Sequence, residues 1–213
     1  MKLSEIFNQL TYGELSQTHL GGAAEGAIDE ANYPKILAHV NMGLLALHKR
    51  FPLKEGRKTL VLQPGILTYS LDAPEALKIE RVYSADGWEL GLNDESDPGS
   101  CFTPSAHILR VPALLETPSV EVVFRAGHPL LTVDATGYLN PEQVVVELPY
   151  THLEALLLYV ASRVSNPMGM SNEFHAGNSY AAKYEAACQL LEMVNLRVDQ
   201  GSQNTRLVRN GWV

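Results

Sequence analysis

A chain of 213 residues, 46% of them hydrophobic and 19% charged, is long enough to bury a sizeable core, in one domain with an insertion or in two small ones. Its formal charge of −8 argues against a protein that grips nucleic acid, since grip comes from Lys and Arg neutralising phosphates; a wall past which DNA slides is still compatible. No apolar run is long enough to cross a bilayer, and Met1-Lys2-Leu3-Ser4-Glu5 lacks the basic region and apolar block of a signal peptide.

The expectation is therefore synthesis in a cytosol, where Cys101 and Cys188 stay reduced. Leu3, Ile6, Phe7 and Leu10 fall at helical spacing, and Thr11-Tyr12-Gly13-Glu14 offers a capping box before Leu15, which predicts two short helices. Three glycines between His19 and Gly26 then break the pattern and read as a linker. A longer helix is expected from Tyr33-Pro34, with Tyr33, Ile36, Leu37, Val40, Leu44, Leu47 and Phe51 on its packing stripe. Gly43 inside it would let another backbone approach closely.

After Pro52 the apolar period changes from helical to two. Thr59–Leu62 and Ile66–Leu71 flank Gln63-Pro64-Gly65, and Leu77–Ser84 and Trp88–Leu92 flank Ala85-Asp86-Gly87, which predicts two hairpins. His107–Val111 and Val120–Ala126 add two strands, and Val144-Val145-Val146 is read as a further pairing segment. Roughly six short strands bracketed by helices predict a small antiparallel sandwich or barrel inserted into a helical body.

Two late helices organise the rest. The first is expected over Thr151–Val164, with Thr151 and Glu154 as a capping box and an almost wholly apolar circumference that makes it the central helix. Asn166-Pro167 stops it. Pro167–Gly177 reads as an irregular loop, with Phe174 pinning it to the core. The second helix, from about Asn178 to Asp199, places Tyr180, Tyr184, Ala187, Leu191, Val194 and Val198 on one face, and Gly201 ends it. The tail from Ser202 is polar as far as Leu207-Val208, and closes on Trp212 and Val213.

Chemistry-bearing patterns are missing. There is no glycine-rich phosphate loop, serine elbow or paired-histidine zinc spacing. Asn93–Gly99 fails as a calcium loop because Pro98 and Ser105 fall where oxygen ligands are needed. His39 and His48 are not one turn apart, and His107, His128, His152 and His175 lie on different elements. Asp134 with Glu142 or Glu147 is the carboxylate pair a hydrolase would use, at a spacing any acidic protein offers. No cofactor, metal or catalytic residue is expected, and the protein reads as not an enzyme.

Three blocks, Asn41–Leu53, Gly91–Asp94, and Arg163–Gly169 with Glu173–Tyr180, together resemble the head-to-tail adaptor proteins of short-tailed bacteriophages, the tail tubular protein A type. Their order and spacing carry the resemblance, which covers nearly the whole chain. It implies an α+β fold: a helical bundle body over residues 1–55 and 148–200, a β module with its return loop over 56–147, and a tail over 201–213. It also implies a ring of about twelve copies in the neck of a virion, between portal protein and tail nozzle protein, with DNA passing through without sequence-specific binding and with no membrane contact. Met168, Phe174, His175, Arg206, Leu207, Arg209, Trp212 and Val213 are the candidate contacts with portal or neighbouring subunit. Another ring-forming neck protein, such as a tail-completion or stopper protein, is the runner-up, and a hydrolase is the third class.

Overall fold

A computed structural model describes residues 1–16, 28–134, 138–165 and 171–194, with the backbone alone for 171–176. The fold is mixed α and β, with four helices and two antiparallel sheets. The chain divides into two compact units: a helical unit of Met1–Arg50 with His128–Arg197, and a β unit whose described part is Phe51–Gly127.

In the helical unit, α1 (Leu3–Tyr12) buries Leu3, Ile6, Phe7 and Leu10, the spacing read from the sequence. The expected capping box at Thr11 does not form. The Thr11 hydroxyl instead donates back to the carbonyls of Phe7 at 3.1 Å and Asn8 at 2.9 Å, and the Leu15 N–H closes on the Leu10 carbonyl at 2.8 Å. Those bonds satisfy the last carbonyls of α1, so residues 13–16 are a turn rather than the start of a second helix. The linker at residues 19–26 lies outside the described residues.

A 3-10 turn at Glu30–Asn32, capped by the Asp29 carboxylate on the Ala31 N–H, leads into α2 (Tyr33–Arg50). This helix buries Ile36, Leu37, Val40, Leu44 and Leu47. A Cβ on Gly43 would lie 2.6 Å from Leu156 Cδ1 and 3.0 Å from Tyr159 Cδ1. The glycine is thus the seat for two side chains of α3 (Leu153–Val164), not for a bare backbone.

Helix α3 packs against α1, α2 and α4 and buries residues all around its axis, as a central helix must. Its start differs from the expected capping box. A 3-10 turn at Tyr150–His152 precedes it, the residue at the cap position is His152 in a helical conformation, and no side chain caps it. The turn winds Thr151 into helical geometry before α3 begins, and its hydroxyl lies 3.0 Å from His152 Nδ1.

Helix α4 (Ser171–Met193) begins earlier than the sequence indicated: residues 171–177, expected as an irregular loop, are its first turns. Gly177 lies buried inside it, on the same face as Tyr180, Tyr184, Ala187, Cys188 and Leu191. A helical glycine costs about 1 kcal/mol relative to alanine, which the packed face offsets. Val194, expected on that face, is 58% exposed. Val198 and Gly201 lie outside the described residues.

The return segment, residues 128–149, is tied down by backbone bonds rather than by secondary structure. Val145 meets Lys2 in an isolated bridge, with Leu3 N–H on the Val144 carbonyl at 2.9 Å and Val146 N–H on the Met1 carbonyl at 2.8 Å. The expected strand at Val144–Val146 is reduced to this bridge. Asn41 of α2 both donates to and accepts from the backbone of Leu131, at 2.8 and 3.0 Å.

The β unit contains β1 (Glu55–Val61), β2 (Thr68–Ser70), β3 (Ala76–Ser84), β4 (Glu89–Leu90), β5 (Phe102–Ser105), β6 (Ile108–Arg110) and β7 (Ser119–Ala126). They form one sheet in the order β1-β7-β3-β4 and a second in the order β2-β6-β5. The sheets do not close into a barrel. Both feed one core, with Leu60, Ile79, Val82, Val120, Val122 and Phe124 from the larger sheet and Leu109 from the smaller, joined by Leu71, Cys101 and Val111.

The hairpin expected at Ala85-Asp86-Gly87 is present: β3 pairs with β4, and Gly87 supplies the positive φ of +83° that its turn requires. The other expected hairpin is not. Strands β1 and β2 belong to different sheets, and Gln63-Pro64-Gly65 is the corner between them. The Tyr69 hydroxyl holds that corner, accepting the Gln63 N–H at 2.7 Å and donating to the Ile66 carbonyl at 2.9 Å. Strand β5 escaped the sequence reading because Pro104 sits in it; it is an edge strand, where proline's missing donor is tolerated.

Candidate functional site

Several of the carboxylates and histidines that a hydrolase would recruit have structural partners, whereas His39 Nδ1 is buried without a hydrogen-bond partner. Asp134 accepts the Tyr138 N–H at 2.8 Å. Glu142 pairs with Lys2 at 3.2 Å, and hydrogen bonds from Ser4 and then Lys2 hold its carboxyl below the usual range. The Glu147 amide donates to His128 Nε2 at 3.0 Å. Burial pushes His152 down, and burial followed by the charges of Lys35 and Arg163 does the same to His39. Cys101 lies in the β core, where burial pushes its thiol up to about 11, the environment of an inert structural cysteine. No group of three or more His, Cys, Asp or Glu side chains among the described residues is placed to hold a metal.

The β unit carries a shallow depression of about 420 Å³ on the outer face of its larger sheet. Arg57, Thr59, Tyr83, Ser84, Ser119 and Glu121 line it. Its charges are occupied by one another. Arg57 bonds Glu55 at 2.9 Å and lies 3.7 Å from Glu121, and Arg81 reaches Glu55 at 3.2 Å. Arg125 holds Glu80 at 2.7 Å on the same sheet. Alternating strand residues put the apolar set inside and this charged lattice outside, the usual division of a half-buried antiparallel sheet.

Two helix faces of the helical unit have the composition of contact surfaces. On α4 the side away from the core is Asn178, Ser179, Ala182, Ala186, Gln189, Leu190 and Met193, all exposed and none charged. Met193 is 83% exposed. Depletion of charge beside exposed methionine and leucine is what distinguishes interface cores from the rest of a surface. On α2 the exposed side runs Lys35, Ala38, Met42, Leu45 and Lys49 at spacings of three and four. The sequence reading missed both. The signal was there as the complement of each packing stripe, and burial of α4's other side had to be known first.

That other side is fastened to α2 by a fork. Arg50, in the last turn of α2, meets Glu185 at 2.6 Å and Glu192 at 2.8 Å, so that two carboxylates about two turns apart on α4 come to one guanidinium. The hydrogen bond to Glu185, then that to Glu192, drives the Arg50 pKa up, and Glu185 is held below the usual carboxylate range chiefly by Arg50. Tyr159 and Tyr184 stack edge-on beside it with centroids 5.3 Å apart, and the Tyr180 hydroxyl donates to the Glu14 carbonyl at 2.9 Å.

Of the contact residues proposed from sequence, Phe174 and His175 fall in the first turns of α4, where the backbone alone is described. Met168, Arg206, Leu207, Arg209, Trp212 and Val213 lie outside the described residues. No helix among those described is long and apolar enough to cross a membrane. Compared with protein-family models, the chain matches none, and no curated protein matches it in sequence.

Proposed function

We propose that the chain is a structural protein of a virion neck, a ring of about twelve copies that joins the portal protein to the tail nozzle protein and lines the channel through which DNA leaves. What carries this reading is the resemblance of three sequence blocks, in their order and spacing, to head-to-tail adaptors of short-tailed bacteriophages. On this reading the helical unit is the bundle body, and the two sheets are the inserted sandwich.

Several features support it without depending on the family. Many of the described charged side chains pair with one another, as Arg50 does with Glu185 and Glu192 and Arg125 with Glu80, which suits a scaffold. The uncharged side of α4 and the Met42–Leu45 stripe of α2 give each copy two different apolar faces, which head-to-tail closure of a ring requires. A net charge of −8, if carried largely on the lumen, repels DNA from the wall and lets it slide. The tail Arg206–Val213 and the stretch Met168–Gly177 are the candidate contacts with portal or neighbour.

The test is the light-scattering mass of the purified protein, alone and then mixed with the portal ring encoded beside it. A monomer that becomes a stoichiometric ring on the portal is expected, and deletion of Arg206–Val213 should weaken that assembly. A mass that never changes, with the portal unbound, would overturn the adaptor reading and favour a tail-completion or stopper protein. Assembly unchanged by the deletion would remove the tail from the contact.

A further inference from the structure

The return segment begins at His128, and the imidazole of that residue closes it on itself. His128 Nδ1 lies 2.6 Å from the Pro129 carbonyl oxygen, and His128 Nε2 lies 3.0 Å from the Glu147 amide nitrogen. A carbonyl only accepts and an amide N–H only donates, so the two contacts together require the proton on Nδ1 and a free lone pair on Nε2. The neutral ring in that one tautomer satisfies both. The imidazolium does not, because its second N–H would point at another N–H.

We propose that the His128–Glu147 contact is an acid-released clasp: proton uptake at His128 breaks its hydrogen bond with the Glu147 amide. Other ties of the segment among the described residues include the amide pair between Asn41 and Leu131, the backbone bonds that link Met1, Leu3 and Ser4 to Val146, Val144 and Pro141, and the Lys2–Glu142 ion pair at 3.2 Å. Glu142 is held below the usual carboxylate range, so that pair persists to lower pH than an imidazole contact.

Among the described residues, His48 and Glu147 are titratable groups that bear on the ring. His48 of α2 stands edge-on, ring centroids 6.0 Å apart, and is 1% exposed. A charge on either imidazole opposes a charge on the other. Glu147 carries the bonded amide, and its own side chain is exposed, where a carboxylate favours the imidazolium through solvent. Lys49 and Arg50 follow His48, with Arg50 committed to Glu185 and Glu192. The loss of a hydrogen bond of ordinary strength corresponds to roughly a tenfold change in local opening.

The experiment uses the full chain. Long-range proton–nitrogen correlation of the imidazoles at about pH 7.5 should show His128 protonated at Nδ1 and accepting at Nε2. Between about pH 7.5 and about pH 5, Glu147 amide protection, corrected for intrinsic exchange, should fall by about tenfold or more as His128 charges. The Leu131 amide, held by Asn41, should keep its protection, which separates clasp opening from general unfolding. His128→Gln keeps an acceptor where Nε2 stands but takes up no proton, so its Glu147 amide should be equally protected at both values. A proton on Nε2 at the higher pH, or unchanged Glu147 protection after His128 has charged, would overturn the proposal; so would the same pH response in His128→Gln.

Discussion

The helical unit buries imidazoles, with His48 and His152 almost fully enclosed and His39 partly so, whereas the β unit keeps its charge on one sheet face as arginine–glutamate pairs. By contrast, His107 of the β unit is exposed. The contrast follows from geometry. A strand alternates, so every charged residue has a wet side to go to. A helix packed around most of its circumference, such as α3, exposes charge only near its ends, at Glu154 and Arg163, and the histidine at its start is enclosed. The lesson is that the two units should respond to different perturbations.

The largest effect should come from the β core. Phe124 is 3% exposed and its ring fills the space where a side chain on Gly56, its register partner, would sit. Phe124→Ala should cost about 3–5 kcal/mol, with a cavity that Gly56 cannot fill. Hydrogen exchange read by mass spectrometry should show β1, β3 and β7 losing protection, with α2 and α3 affected less. Equal loss in both units would break the comparison. Gly56→Ala should be damaging alone and close to neutral beside Phe124→Ala, because the ring it would overlap is gone.

Next in size is Gly43→Leu, which drives a side chain into Leu156 and Tyr159. Overpacking of this kind costs about 1–3 kcal/mol, more than the helix propensity gained. Thermal melting followed by helical circular dichroism should shift down while β-unit exchange is retained. A variant as stable as the parent would mean that α3 can back away from α2.

The smallest effect, and the sharpest test of the contrast, is pH. His39 and His152 have folded pKa values below their unfolded ones, so the unfolded chain takes up these protons first. Their contribution to stability is full above the unfolded value of about 6.5 and is lost as pH falls from there towards the folded values. Glu142 and Glu185, held low by their partners, add stability that persists until pH falls below the unfolded carboxylate value of about 4.3. Chemical denaturation at about pH 7 and about pH 5 should therefore weaken the helical unit alone. A flat profile in the helical unit, or an equal loss in the β unit, would remove the distinction.

Much of the site reasoning was legible before any coordinates. The packing stripes of α1 and α2 and the apolar circumference of α3 followed from periodicity, because burial of an apolar face is dictated by the 3.6-residue turn, whereas Gly43 proved to seat side chains rather than the backbone expected. The contact faces of α2 and α4 were not legible as such. An exposed alanine or glutamine has no signature until its opposite side is known to be packed, and the Arg50 fork joins residues 135 and 142 positions apart in the chain.

The sequence by itself determined the helical character of α1, α2 and α3, the extended character of β1, β3 and β7, and the β3–β4 turn at Gly87, since these depend on spacing and backbone preference over a few residues. Tertiary structure decided the rest. It made Gln63-Pro64-Gly65 a corner between sheets rather than a hairpin, because β1 and β2 find better partners in β7 and β6. It admitted Pro104 to an edge strand, and it extended α4 back to Ser171 through Gly177. It also chose the tautomer of His128, by setting one carbonyl and one amide against a ring whose two nitrogens are equivalent in the sequence alone. Pairing and enclosure join residues far apart in the chain, and no local preference encodes which of them will meet.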